Sequence, residues 1–231
     1  MHKPGARLIG LTQPAPGLEF TTAEDMLVYI AKVSNPKQQA NFKTAGRLLK
    51  YLLEHAHYSP FEMVNVVVEV ITTRDIGRQL LRHSTLRVQE FSQRYADPTK
   101  NLGFMVREAR LQDPKNRQNS LEIDDPELAQ EFEDRQLVHI AAAEEHYRWA
   151  ESRGIALEQA RVFLPEGNTL SRIYVNGNLR SWIHYAAPIL GVRSGYGTQK
   201  EHIEVAKACW EVVAANFPMI ADALEAQKEQ D

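Results

Sequence analysis

Between Arg74 and Tyr95 the chain reads RDIGRQLLRHSTLRVQEFSQRY, which sets Arg74, Arg78, Arg82, Arg87 and Arg94 against only Asp75 and Glu90. Guanidinium groups form paired, charge-assisted hydrogen bonds to oxyanions, so several of them beside Ser92 suit a phosphate. Arg78 and Arg82 stand four apart and would share a helix face. Ser92 and Arg94 stand two apart and would point the same way from an extended segment. A solvated basic patch with ordinary ion pairs would account for the arginines alone. It leaves unexplained the interleaved Gln79, His83, Gln89, Glu90 and Ser92. A nucleotide base needs such amide and carboxylate partners as well as phosphate donors.

Other chemistries find less support. Cys209 is the one cysteine, which excludes a disulfide framework or a four-thiolate zinc site within the chain and fits a reducing compartment. It lies in KEHIEVAKACWEVVAANF, where Ile203, Ala206, Cys209, Trp210, Val213 and Phe217 form an apolar stripe, so a buried structural thiol is expected. His55 and His57 lack a third ligand at suitable spacing, no HExxH occurs, and no metal is expected. Gly191, Gly195 and Gly197 fit neither GxGxxG nor a P-loop. The formal charge of −3 supplies no global positive field for nucleic acid.

These residues need elements to place them. Helical spacing predicts helices over 22–33, opened by Thr21 or Thr22, and over 38–56, ended by His55-Ala56-His57-Tyr58-Ser59-Pro60. Residues 63–72 are β-branched, with Val64, Val66, Val68 and Val70 on one face, and read as a strand. A short helix over 74–82 follows, then a strand over 104–112 and a polar loop over 113–125. Pro126 opens a long charged helix to Ser152. A helix at 155–162, a strand at 170–176 and a helix at 178–187 come next, the last capped by Asn178 and anchored by Trp182, with Arg180 read as structural. Helices over 198–215 and 218–228 are split by Pro218. The class is α+β, a single domain over 1–231. The longest uncharged apolar stretch, around Val64–Val68, is far below the roughly 20 residues that span a bilayer. The first residues lack the apolar run of a signal peptide, so a soluble, cytoplasmic protein is expected.

Three blocks in order carry a resemblance. Arg82-His83-Ser84, seven residues, then Ser92-Gln93-Arg94-Tyr95 is similar to the signature of the flavin-dependent thymidylate synthases, Arg-His-Arg, seven residues, Ser. His57-Tyr58-Ser59-Pro60-Phe61-Glu62 resembles a second family block. A third runs from Arg161 through Asn178-Leu179-Arg180-Ser181-Trp182-Ile183-His184-Tyr185 to Arg193 and Thr198-Gln199-Lys200-Glu201-His202. The resemblance implies a central, mostly antiparallel sheet flanked by helices. It also implies FAD reduced by NADPH, a carbon from methylenetetrahydrofolate, transfer to carbon 5 of dUMP, and a homotetramer with sites between subunits. Carried over by position, Ser34, His57, Ser59, Glu62, Arg82, His83, Ser84, Gln89, Asn178 and His184 would hold the cofactor. Gln79, Arg82, Glu90, Ser92, Gln93, Arg94, Arg161 and Arg193 would hold the nucleotide, with Arg193 and Ser92 in catalytic positions. Two features depart from the family. Ser84 stands where it has arginine, with Arg87 three residues on, and the loop between Tyr185 and Arg193 is longer. Those departures leave open hydroxymethylation, action on a cytosine deoxynucleotide, or a homologue that binds nucleotide or flavin without turnover.

Overall fold

The computed structural model describes residues 4–195 and 197–228. Its centre is a fully antiparallel sheet of β1 (Gly5–Leu11), β2 (Asn65–Thr73), β3 (Arg87–Glu90) and β6 (Leu170–Asn178), in the order β1-β2-β6-β3. The remaining two strands, β4 (Arg110–Gln112) and β5 (Ser120–Glu122), form a separate hairpin. Helices in chain order are α1 (Ala23–Ala31), α2 (Ala45–Glu54), α3 (Arg74–Leu81), α4 (Pro98–Asn101), α5 (Pro126–Ser152), α6 (Leu157–Ala160), α7 (Leu179–Ala186), α8 (Lys200–Asn216) and α9 (Pro218–Lys228).

The valines alternate as the sequence predicts. Val64, Val66, Val68 and Val70 are all fully buried and meet Leu49, Leu52, Trp182, Val205, Cys209 and Val213 in one apolar core. Burial of that alternating face pins the register, because a slip by one residue would send every valine to the other side. The opposite face carries Arg7, Glu69, Tyr174, Gln89 and Arg172. There Glu69 takes Arg7 Nε at 2.7 Å, with Arg172 Nε at 3.6 Å. Burial alone would raise the Glu69 carboxyl; hydrogen bonds from Arg7 and Tyr174 and the charges of Arg7 and Arg172 outweigh it and hold the group below its usual range. A smaller cluster of Tyr147, Ala150, Ala160 and Leu164 docks the end of α5 onto α6.

Four expectations are corrected. β1 has no counterpart in the periodicity: it is an edge strand with a bulge between Leu8 and Gly10, so its alternation is broken midway. The expected strand 104–112 shrinks to β4, and Phe104 makes one isolated bridge to Thr169. β4 finds its partner inside the expected loop. The expected helix 38–56 starts only at Ala45, because Asn41 Oδ1 accepts Lys43 N at 3.1 Å and the Asn41 carbonyl is taken by Lys32. Such local bonding competes with helix. Finally, the segment after Glu90 does not stay extended. Tyr95 N and Ala96 N both donate to the Ser92 carbonyl at 3.2 Å, closing a turn.

Candidate functional site

The antiparallel register sorts the chemistry between two ends of the sheet. Asn65 faces Asn178 at one end and Thr73 faces Leu170 at the other, while β3 runs from Arg87 near the first to Glu90 nearer the second.

At the first end β6 passes straight into α7, and Asn178 caps that helix by accepting Ser181 N at 2.9 Å and Ser181 Oγ at 2.7 Å. Trp182 Nε1 reaches back to the Val66 carbonyl at 3.1 Å and fixes the helix against β2. Beside it lies a cavity of ≈ 500 Å³ with Glu62, Asn178 and His184 on its wall, along with Tyr58, Thr85, Arg180, Ser181, Ile183 and Leu190. A shallower hollow of ≈ 490 Å³ holds His57 and Ser59 and shares Tyr58 and Arg180 with the first. Arg180, read from sequence as structural, ion-pairs with Glu62 and lies 5.4 Å over the Tyr58 ring, yet it lines both spaces. Ser34 is exposed in the turn beyond α1, where Ala31 borders the second hollow.

A buried polar core joins α3, α7 and α8. Arg193 Nε donates to His83 Nε2 at 3.0 Å, so that nitrogen carries no proton and the ring is neutral. His83 is pushed down to about 4 by burial, then by Arg193, His184 and Arg82. Arg193 owes its position to the loop that follows α7. Val192 N and Arg193 N donate to the His184 and Tyr185 carbonyls at 2.8 and 3.1 Å, which caps the open end of α7. A methyl group added at Gly191 would press on the Ala187 backbone, so only glycine lets the loop fold that close. His202 is fully buried and sits between Tyr185 Oη at 3.1 Å and Gln79 Oε1 at 3.2 Å. The stripe expected on α8 is thus rotated: His202 and Val205 are buried, Ile203 and Trp210 only partly.

At the second end Glu90 accepts Ser171 Oγ at 2.8 Å and Arg74 Nη1 at 3.2 Å. Ser92 opens the turn that carries Arg94, whose Nε reaches Glu158 Oε2 at 2.9 Å; Arg161 Nε bonds the Glu158 carbonyl at 3.2 Å. Glu158 therefore gathers Arg94 and Arg161 on one exposed surface, with Arg78 nearby in sequence but paired to Glu166 at 2.6 Å. Gln93 is buried and its Nε2 has no partner among the described residues. Gln89 is exposed on the far face of the sheet, opposite Tyr174. Arg82, Ser84 and Arg87 are exposed, and Arg87 folds back to donate to the Ser84 carbonyl.

No site role was expected for Tyr58, Thr85, Ser181, Leu190, Glu158, Gln199, Tyr185 or His202, although five of them stand in the family blocks. Tyr185 and His202 left a signal: a phenol and an imidazole on otherwise apolar helix faces require hydrogen-bond partners. Cys209 is fully buried and its thiol is raised to about 12 by burial, so it is no nucleophile.

A family described as "Thymidylate synthase complementing protein" matches residues 18–219. A "Probable flavin-dependent thymidylate synthase" of Paramecium bursaria Chlorella virus 1 is 44% identical over 223 residues, covering 95% of this chain and 98% of that protein. A "Flavin-dependent thymidylate synthase" of Synechocystis sp. is 41% identical over 221 residues, with 95% and 98% covered. Among solved structures, the UMP/dUMP methylase PolB from Streptomyces cacaoi, bound with 5-Br dUMP, superposes with a TM-score of 0.75 at 24% identity, over 98% of this chain and 96% of that one. At that identity the likeness speaks for the fold.

Proposed function

The chain belongs to the thymidylate synthase complementing protein family, and from that premise we propose how its own residues carry out methyl transfer to carbon 5 of dUMP. It is a flavin-dependent C5-pyrimidine methyltransferase. The observation that carries the chemistry is the Arg193–His83 contact, joined through His184, which acts on His83 and lines a cavity of ≈ 500 Å³, with the only cysteine buried out of reach.

Carbon 5 of uracil is a weak nucleophile until the ring becomes electron-rich. A thiolate adding to carbon 6 would do this, but Cys209 is buried and held as a thiol. A fixed cation remains. Because neutral His83 orients Arg193 through Nε, the Nη groups are left to face a ring carbonyl and stabilise charge that grows there during attack.

The cavity fits a flavin in size and lining: it has apolar walls at Ile183 and Leu190, an aromatic ring at Tyr58 and polar groups at Thr85, Asn178, Ser181 and His184. Glu62, His57, Ser59, Asn178 and His184 would hold it, FAD in this reading, with NADPH as reductant and methylenetetrahydrofolate as carbon donor. When bound it supplies the hydride that completes the methyl group. Arg94 and Arg161, steered by Glu158, would take the nucleotide phosphate with Ser92 and Gln93, and the unpaired Gln93 amide supports a ligand acceptor there. Glu90, fixed by Arg74 and Ser171, offers its second oxygen to the sugar or base.

In one chain the flavin cavity and the arginine surface lie at opposite ends of the sheet. This supports a homotetramer whose sites lie between subunits. The exposed sheet face with Tyr174 and the exposed Leu128, Phe132, Val138 and Trp149 along α5 offer surfaces for it.

The deciding assay follows release of the carbon 5 hydrogen from dUMP and dCMP in parallel, with NADPH and methylenetetrahydrofolate, and weighs the product by mass spectrometry. A methylated product from dUMP is expected. Release from dCMP alone, or a hydroxymethyl product, would overturn the reading.

A further inference from the structure

Two buried side chains outside the reacting pair, Tyr185 and His202, connect through half-buried Gln79 to exposed Gln199. Tyr185 Oη lies 3.1 Å from His202 Nε2, His202 Nδ1 lies 3.2 Å from Gln79 Oε1, and Gln79 Nε2 lies 2.9 Å from Gln199 Oε1. Tyr185 and His202 are almost completely buried and Gln79 is half-buried, so the path begins in the core and ends at the opening between α3 and the start of α8.

The path has one polarity. The Gln79 oxygen can only accept, so His202 Nδ1 carries a proton. The ring is not doubly protonated, because burial first, and then Arg193 and His83, hold it down to about 3. Nε2 therefore accepts the Tyr185 hydroxyl proton, and burial keeps that phenol well above its usual range. Reversing the carboxamide would put an N–H of His202 against the Tyr185 oxygen. The buried hydroxyl proton would then have no acceptor among the described residues, a costly arrangement.

We propose that Tyr185 and His202 are positioning residues for nucleotide recognition, which lock the Gln79 carboxamide with its oxygen inward and its amide N–H outward. This rests on the pyrimidine-nucleotide reading above. One Nε2 hydrogen goes to Gln199 and the second is left for the ligand. Gln79 thus presents a donor to an oxygen of the nucleotide, either a phosphate oxygen or a ring carbonyl, and cannot turn to accept from an exocyclic amine. His202 and Tyr185 so act on specificity through Gln79 without touching substrate.

The test uses the full chain with flavin bound and four variants: Tyr185→Phe, His202→Leu, His202→Asn and the Tyr185→Phe/His202→Leu double. Calorimetry gives the affinity for dUMP and for deoxyuridine, fluorescence gives flavin affinity, and melting gives Tm. His202→Leu should weaken dUMP about tenfold and Tyr185→Phe about threefold, with flavin affinity held within about twofold. His202→Asn keeps a donor near the Nδ1 position and should recover most of the loss. The double variant replaces a polar pair by an apolar one, so its Tm should not fall although dUMP still binds weakly. A structural role alone would move stability and both ligands together. If the loss appears with dUMP and not deoxyuridine, the partner is the phosphate; if with both, it is the ring. Either supports the proposal. Should His202→Leu fail to fold, Tyr185→Phe, which removes one oxygen, decides alone. Unchanged dUMP affinity in the folded variants, while Gln79→Ala loses it, would overturn this inference only. Failure of the unmodified protein to bind dUMP would overturn the nucleotide reading as well.

Discussion

The Arg193–His83 contact makes sense only with an unprotonated imidazole, and the same holds for His202 in its path. Both histidines are depressed in the folded chain, to about 4 and about 3, against 6.5 when free. Above pH 6.5 both states hold these rings neutral and the stability they allow is present in full. As pH falls below 6.5 the unfolded chain binds protons that the folded one refuses, so stability is lost progressively toward pH 4. We expect Tm to be flat above pH 6.5 and to drop between pH 6.5 and 5, before most carboxylates titrate; His202→Asn should flatten part of that drop. A Tm independent of pH across that window would mean that the rings are charged in the fold. Arg94 acts through fixed charge, with no protonation change. Its ion pair with Glu158 is half exposed and contributes little to stability, so Arg94→Ala should leave Tm nearly unchanged. It should still cost dUMP about tenfold or more in affinity, since charge-assisted bonds to phosphate are lost, and the flavin absorbance should persist. Calorimetry that finds equal dUMP affinity would remove Arg94 from the phosphate surface.

Among the elements, α7 and the loop after it set the geometry. Asn178→Ala removes the cap and should cost about 1 kcal/mol, read as a shift in the denaturant midpoint, with flavin affinity falling because the same residue lines the cavity. Gly191→Ala forces the loop off Ala187 and should cost about 1–3 kcal/mol; methyl transfer should fall further than stability, because Arg193 moves. Equal activity would show that the loop has slack. The strand 65–73 and the helices 74–81, 126–152 and 218–228 were legible because their burial follows one period without interruption. The edge strand 5–11 was not, since its bulge breaks alternation and its pairing is with residues some sixty positions away. For the site, the residue types at 74–95 announced phosphate and base chemistry, while 57–62 and 178–193 were marked only by the family resemblance. Their separation along the sheet did not show, because distance across a fold depends on register, which no local pattern encodes. Ser92 and Arg94 illustrate this: spacing by two implied a strand, and the Ser92 carbonyl closing on Tyr95 and Ala96 made a turn.

For the molecule as a whole, the split between the two ends of the sheet predicts that subunits share sites. Glu62→Ala and Arg94→Ala chains, each impaired alone, should regain part of their activity when unfolded together and refolded, because some mixed sites then contain both intact residues. Light scattering of the purified protein should give a mass of several chains. A monomer with full turnover, or no regain on mixing, would place the whole site in one subunit. The fully enclosed Cys209 has a separate consequence. It is the single thiol of the chain, lodged among helices that must all part before a reagent can reach it. Iodoacetamide should therefore leave the native enzyme unlabelled and active, and the slow label that accumulates should count global opening events one molecule at a time. The protein thus carries its own clock for unfolding.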